Sequence, residues 1–164
     1  MDKVINVAAY IVNKYKALTG EIIDQMKLHK LLYFSQREAL AITGKPAFDG
    51  TFEGWKYGPV CPEVRNNYID KEGIFLVPTS DISDSTSYIV NNVILEYGAL
   101  ASWKLSELSH KDQSWKNSRV GLSSDELGNR PLLLEDIKED AKKVRPYDHV
   151  WDMYYDEFDD AEEG

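Results

Sequence analysis

Few residues in this chain have side chains that could do chemistry, and they are scattered. The three histidines, His29, His110 and His149, are far apart, and none stands in an H-x-x-x-H or H-E-x-x-H spacing that would grip a metal. There is no G-x-S-x-G elbow, no phosphate-cradling glycine loop and no dinucleotide fingerprint. A nucleophile pair of Cys61 with His110 can be written down, because such partners need only be close in space. The plainer reading of Cys61 is a small buried residue just before a helix, since free cysteine is among the most buried residue types. Asp81, Asp84 and Asp125-Glu126 lack the alternation and glycine of a calcium loop and read as caps and solvated loop residues. The residues therefore argue for no catalytic site, no metal and no cofactor.

Two other stretches are dense in signal: Lys27-Leu28-His29-Lys30-Leu31-Leu32-Tyr33-Phe34-Ser35-Gln36, and Phe52-Glu53-Gly54-Trp55-Lys56-Tyr57-Gly58-Pro59-Val60-Cys61-Pro62-Glu63-Val64. The elements that must position them are mostly helices. Val4, Val7, Ala8, Ile11, Val12 and Tyr15 follow the i, i+3, i+4, i+7 rule of an amphipathic helix ending near Gly20. Asp24 can cap a second helix through about residue 43, with Leu28, Leu31, Leu32, Ala39 and Ile42 as its buried stripe and Gly44 after it. Thr51 to Tyr57 alternates roughly as a strand, Gly58-Pro59 turns the chain, and Pro62 opens a helix over about 62–70. Ile74-Phe75-Leu76-Val77 reads as a second short strand that could pair with the first. Residues 80–86 read as a polar loop, followed by helices over 88–97 and 102–109. Asp112 caps a helical turn bearing Trp115, and a last helix covers about 135–143 before Arg145-Pro146 stops it. The fold class expected is mainly α, a compact single-domain helical bundle with a small two-stranded β element.

Composition bounds the rest. At 164 residues, with 43% hydrophobic and 29% charged, the chain suits one domain with one core. A single cysteine rules out an internal disulfide. No apolar run approaches the roughly 18–20 residues that span a membrane, and the N-terminus lacks a secretion signal, so a soluble cytoplasmic protein with no membrane partner is expected. The net charge is −9, but eight acids and no Lys or Arg fall in residues 146–164, which leaves residues 1–145 at −1. Neither part carries the basic excess that neutralising a phosphate backbone requires, so direct nucleic-acid binding is not expected.

The Lys27–Gln36 helix resembles the "K-L-x-K-L-L-Y-F-x-Q" helix of the Panacea domain found in SocA-like antitoxins and phage-associated proteins. Glu53 to Val64 is similar to that family's "E-A-W-x-Y-G-P-V-x-P-x-V" signature. Leu105-Ser106-Glu107-Leu108-Ser109-His110-Lys111-Asp112-Gln113-Ser114-Trp115 is similar to its "L-x-x-L-T-H-x-E-x-P-W" element, and Leu132–Lys143 matches a closing helix more loosely. The blocks fall in order across about residues 3–145, which divides the chain into a Panacea domain over 1–145 and an acidic aromatic tail over 146–164. Three positions depart from the pattern. Gly54 replaces an Ala, a change expected to matter little, Asp112 replaces a Glu, and Ser114 replaces a Pro. No helix-turn-helix module of the kind some antitoxins carry is found.

The resemblance implies an antitoxin that binds a co-encoded protein toxin and blocks it by occlusion. The runner-up is a proteolytic adaptor working with an ATP-dependent protease, as in the SocA branch, or a prophage-encoded regulator of host proteins. Candidate partner-binding residues are Lys27, Lys30 and Phe34, on one helical face at i, i+3 and i+7, and Trp55 and Tyr57, which share strand parity. His110 and Trp115 join them, with the alternative that they pin two short helices by a hydrogen bond and ring packing. The lysines can equally be solvated surface residues, and Trp55 and Tyr57 can equally close the core. In the tail, Trp151, Tyr154, Tyr155 and Phe158 are interleaved with acids, a pattern suited either to docking on a partner or to packing on the chain's own body.

Overall fold

The structure, a computed structural model, describes residues 1–68 and 82–144. Within them lie seven helices and one two-stranded sheet: α1 (Val4–Thr19), α2 (Gln25–Thr43), β1 (Glu53–Trp55), β2 (Gly58–Val60), α3 (Pro62–Asn67), α4 (Asp84–Tyr97), α5 (Ser102–Ser109), α6 (Gln113–Ser118) and α7 (Leu134–Ala141). The expected strand at 74–77 and the tail from 146 lie outside the described residues.

Local chemistry sets most of the boundaries. Gly20 and Gly44 close α1 and α2 in the left-handed conformation, each returning its N–H to a carbonyl of the last turn. Asp24 caps α2 by accepting from the Lys27 N–H at 2.8 Å. The helix expected over 88–97 begins earlier, at Asp84, because the Ser83 hydroxyl accepts the Thr86 N–H and supplies the cap.

α2 is the axis of the molecule. Its residues from Lys27 to Leu40 form an unbroken buried run, so the helix is covered on every side rather than along one stripe. α1, α4, α5, α7 and β2 all pack against it. Leu28, Leu31, Leu32, Tyr33 and Phe34 are fully buried at the centre of a core completed by α1 and α4. Ile42, expected in the stripe, lies past this covering and is 40% exposed.

The β element differs from expectation. Gly58-Pro59 does not turn the chain. Lys56-Tyr57 does, and Gly58–Val60 is the partner strand, with Glu53 facing Val60, Gly54 facing Pro59 and Trp55 facing Gly58. A two-residue connection makes Trp55–Gly58 the hydrogen-bonded pair and Gly54–Pro59 a non-bonded one, so the missing proline N–H costs the ladder nothing. The Gly54 N–H points to the other edge, where it donates to the Arg130 carbonyl at 2.8 Å. Gly54 also faces α6 closely: a Cβ there would overlap the Ser118 hydroxyl, so an alanine at this position is not a neutral exchange.

α6 is capped from a distance. Asp112 stands at its N-cap position but makes no capping bond, because its carboxylate is drawn inward to Arg37 and Tyr33. The buried Asp140 of α7 takes over, accepting the N–H groups of Gln113 and Ser114 at 2.8 Å each.

Two stability outcomes follow. Asp140→Ala should lower the free energy of unfolding by about 1–3 kcal/mol in urea titration, since it removes the acceptor of the buried Ser114 N–H and the part-buried Gln113 N–H. Gly54→Ala should cost about 1–3 kcal/mol by overpacking, and Ser118→Gly in the same chain should restore part of the loss.

Candidate functional site

The structure sorts the residues singled out from the sequence into two groups. Lys27, Lys30 and Phe34 form no surface patch, because α2 has no exposed face along this stretch. The Lys27 ammonium donates to the Gly98 carbonyl at 2.9 Å and sits 5.4 Å from the Tyr15 ring. Phe34 is fully buried and stacks on Tyr97 at 4.6 Å between ring centres. Lys30 is 1% exposed, so neither lysine is the solvated residue that composition suggests.

The second group gathers around the hairpin. A pocket of about 200 Å³ opens between the first two turns of α2, the hairpin and α3, and its walls include Met26, His29, Lys30, Trp55, Tyr57 and Arg65. Trp55 is half-buried and its indole N–H donates to Glu53 at 2.9 Å. Arg65 lies 4.9 Å from the Trp55 ring centre. Tyr57, at the turn, is 55% exposed at the rim. Two larger hollows elsewhere, both against Met1, gather none of the candidate partner-binding residues.

The hairpin is held rigidly. His110 and Trp115 stack face to face at 4.0 Å, which pins α5 to α6, and the Trp115 indole N–H donates to the Trp55 carbonyl at 2.8 Å. The pairing expected of these two residues is thus ring packing, with the hydrogen bond spent on β1. Arg119 donates to the Gly54 carbonyl at 2.9 Å. At Gly58, with φ of 116°, a Cβ would meet the Lys30 Cε at 2.5 Å and the Ser109 hydroxyl at 2.6 Å. Only glycine lets β2 lie this close on α2 and α5.

The electrostatics of the pocket are those of a buried cation. Burial pushes the Lys30 ammonium down to about 8, with Asp24 opposing, and its one hydrogen bond among the described residues is a long contact of 3.5 Å to the Pro59 carbonyl. Among the described residues no carboxylate lies within ion-pair distance of it. His29 is driven down to about 3 by burial and by the nearby charges of Lys30 and Arg65. It is therefore neutral. Its Nδ1 accepts the Cys61 N–H at 3.2 Å, which places the proton on Nε2, facing Gln25.

Cys61 is 1% exposed and burial raises its thiol, so it is not an accessible nucleophile, and the histidine beside its backbone is His29 rather than His110. Among the described residues no group of His, Cys, Asp or Glu could hold a metal, and no helix is long and apolar enough to cross a membrane. Gln25, Met26, Arg65 and Leu127 also line the pocket and stand outside the stretches singled out from the sequence. Arg65 follows the hairpin signature closely enough to be found by helix spacing. Leu127 comes from a distant loop with no local signal. Trp151, Tyr154, Tyr155 and Phe158 lie outside the described residues.

Keeping the Lys30 charge costs stability. The unfolded chain holds that proton up to about pH 10.5 and the folded chain only to about 8, so stability rises with pH between those values. Lys30→Met should raise the unfolding free energy by roughly 1–3 kcal/mol at pH 7. Melting curves should show that advantage shrinking as the pH rises from 8 toward 10.5.

A family model described as "Antitoxin SocA-like, Panacea domain" matches residues 28–116. That span contains most of α2, the hairpin, α3 and every pocket wall except Gln25, Met26 and Leu127. The chain is also similar to Antitoxin SocA of Caulobacter vibrioides (strain NA1000 / CB15N), at 29% identity over 119 residues. That alignment covers 63% of this chain and 63% of the relative, so the chain spans less than two thirds of the relative's length. No solved structure matches. With more than half of its length inside the family model, the chain belongs to the SocA-like antitoxin family and carries its Panacea domain.

Proposed function

We propose that this chain is an antitoxin that binds a protein toxin encoded beside it and neutralises it by direct occlusion in the cytoplasm. The observation that carries the reading is the family match over residues 28–116, which includes the hairpin and the helix beneath it. The similarity to a protein named Antitoxin SocA supports it. So does the surface. Half-buried Trp55, exposed Tyr57 and Arg65 are the residue types that dominate binding energy at protein interfaces, and here they stand on a hairpin braced from behind. The chain works by binding and not by catalysis: its cysteine is buried, and His29 is held neutral against the backbone. The acidic aromatic segment over 146–164 adds a second set of anchors and a negative field that speeds encounter with a basic toxin.

Growth rescue tests the proposal. The neighbouring open reading frame, expressed alone, should arrest growth, and co-expression of this chain should restore it. Rescue should persist in a host lacking its ATP-dependent proteases, with the toxin level unchanged by co-expression, because occlusion consumes no toxin. A toxin level that drops only when the proteases are present would replace occlusion by delivery for degradation. A neighbour that is not toxic, or toxicity that co-expression leaves intact, would sink the antitoxin reading itself.

A further inference from the structure

The pocket beside the hairpin has a composition at odds with the rest of the chain. In a protein whose residues 1–145 are nearly neutral, its walls among the described residues hold Lys30, Lys56 and Arg65 and no acidic residue. Each cation is weakly engaged. Among the described residues Lys30 has a single long contact to a carbonyl. Arg65 is exposed over the Trp55 ring, with no carboxylate within ion-pair distance among the described residues. Lys56 reaches Asp125 at 3.8 Å, and that aspartate is 93% exposed. Between these charges the lining is apolar, with Met26, Val60, Leu127 and the two hairpin aromatics.

A cation buried without a counter-ion is normally selected against, since its desolvation is not repaid. Here the desolvation of Lys30 has already been met by the fold. A carboxylate arriving beside it gains a charge-assisted hydrogen bond without stripping the lysine of water. An apolar side chain next to that carboxylate would fill the rest of the volume against Trp55 and Val60. The hairpin is preorganised for this, being fixed by the Trp115 and Arg119 bonds to its backbone and by the close seat of Gly58 on Lys30.

We propose that this pocket is the seat for an acidic segment of the toxin, in which an apolar or aromatic side chain enters between Met26, Trp55 and Val60 and a neighbouring Asp or Glu pairs with Lys30 and Arg65. The proposal rests on the antitoxin reading. Tyr57 covers the inserted side chain at the rim, and Lys56 supplies attraction at longer range. This charge sense is opposite to that of the acidic tail, so one toxin surface would meet two patches of opposite sign, which fixes its orientation.

Titration calorimetry of the full chain against the purified product of the adjacent toxin gene tests it. Tyr57→Ala and Arg65→Glu alter exposed side chains and should leave the melting temperature near that of the wild type. Each should weaken binding by about ten- to a hundredfold, as loss of an interface anchor does. Leu95→Ala, at an exposed apolar position on α4, should change it by less than about twofold. A toxin variant with an acid changed to Lys should bind Arg65→Glu better than it binds the wild type. If wild-type binding is tight and both pocket variants match it, the pocket is not the seat and the antitoxin reading stands. If the wild type does not bind at all, both readings fall. Trp151→Ala with Phe158→Ala in the full chain provides a further arm. Should that pair tighten toxin binding tenfold, and do so only while Tyr57 is intact, the pocket's occupant is the chain's own tail and the proposal is overturned.

Discussion

The constraint on which everything else depends is the burial of α2 on every side from Lys27 to Leu40. A helix covered on one face can turn its polar residues to water, but this one cannot. Lys27, His29, Lys30, Ser35, Gln36, Arg37 and Glu38 all lie inside, and each must find a partner or have its charge suppressed. The partners are mostly the turns and ends of other elements. Lys27 holds the end of α4 through Gly98, and Gln36 ties both the Ala47 N–H and the Phe48 carbonyl. His29 receives the N–H of Cys61 at the head of α3. Arg37 pairs with Asp112 at 2.9 Å, shares that carboxylate with Tyr33, and reaches Tyr97 on α4. Hydrophobic burial would hold these elements against α2 in several registers; the polar contacts select one.

Glu38 shows the other solution. It is fully buried near Glu96, and burial first, then that second carboxylate, raise it to about 8, so it sits in the core as a neutral acid. The contrast with Arg37 is instructive. Two residues adjacent on one helix, both ionisable, are handled in opposite ways: one is paired and keeps its charge, the other gives its charge up.

The backbone plan was largely legible in the sequence, because it rests on local chemistry. Asp24 and Gly44 bracket α2 as their residue types require, and Pro62 opens α3. What eluded the sequence was long-range. The periodicity of α2 shows a leucine stripe, yet nothing local reveals that Lys27 and Lys30 meet carbonyls rather than water. The hairpin turn was misplaced because Gly58-Pro59 is a strong turn signal, and only the pairing register shows that Pro59 occupies a position needing no N–H. Asp112 looks like a cap in sequence and is a counter-ion in space, while the true cap, Asp140, lies 26 residues beyond the N–H of Ser114. Of the pocket, Trp55 and Tyr57 were visible as an aromatic cluster. Met26 and Leu127 were not, since they reach it from separate parts of the chain. The departures from the family pattern form contacts of their own here: Ser114 offers a backbone N–H to Asp140 and a hydroxyl to Tyr33, neither of which a proline could provide.

The covering of α2 from all sides also bears on when the protein comes into being during synthesis. The helix is made early, but one of its sides is covered by α7, which ends at Ala141. Until that segment leaves the ribosome, α2 keeps an open flank and α6 lacks its cap, so the hairpin lacks its full bracing. At elongation speeds of roughly 5–20 residues per second, the stretch from Thr43 to Ala141 takes about 5–20 s to make. On the antitoxin proposal, that delay is an interval in which toxin and antitoxin polypeptides race one another.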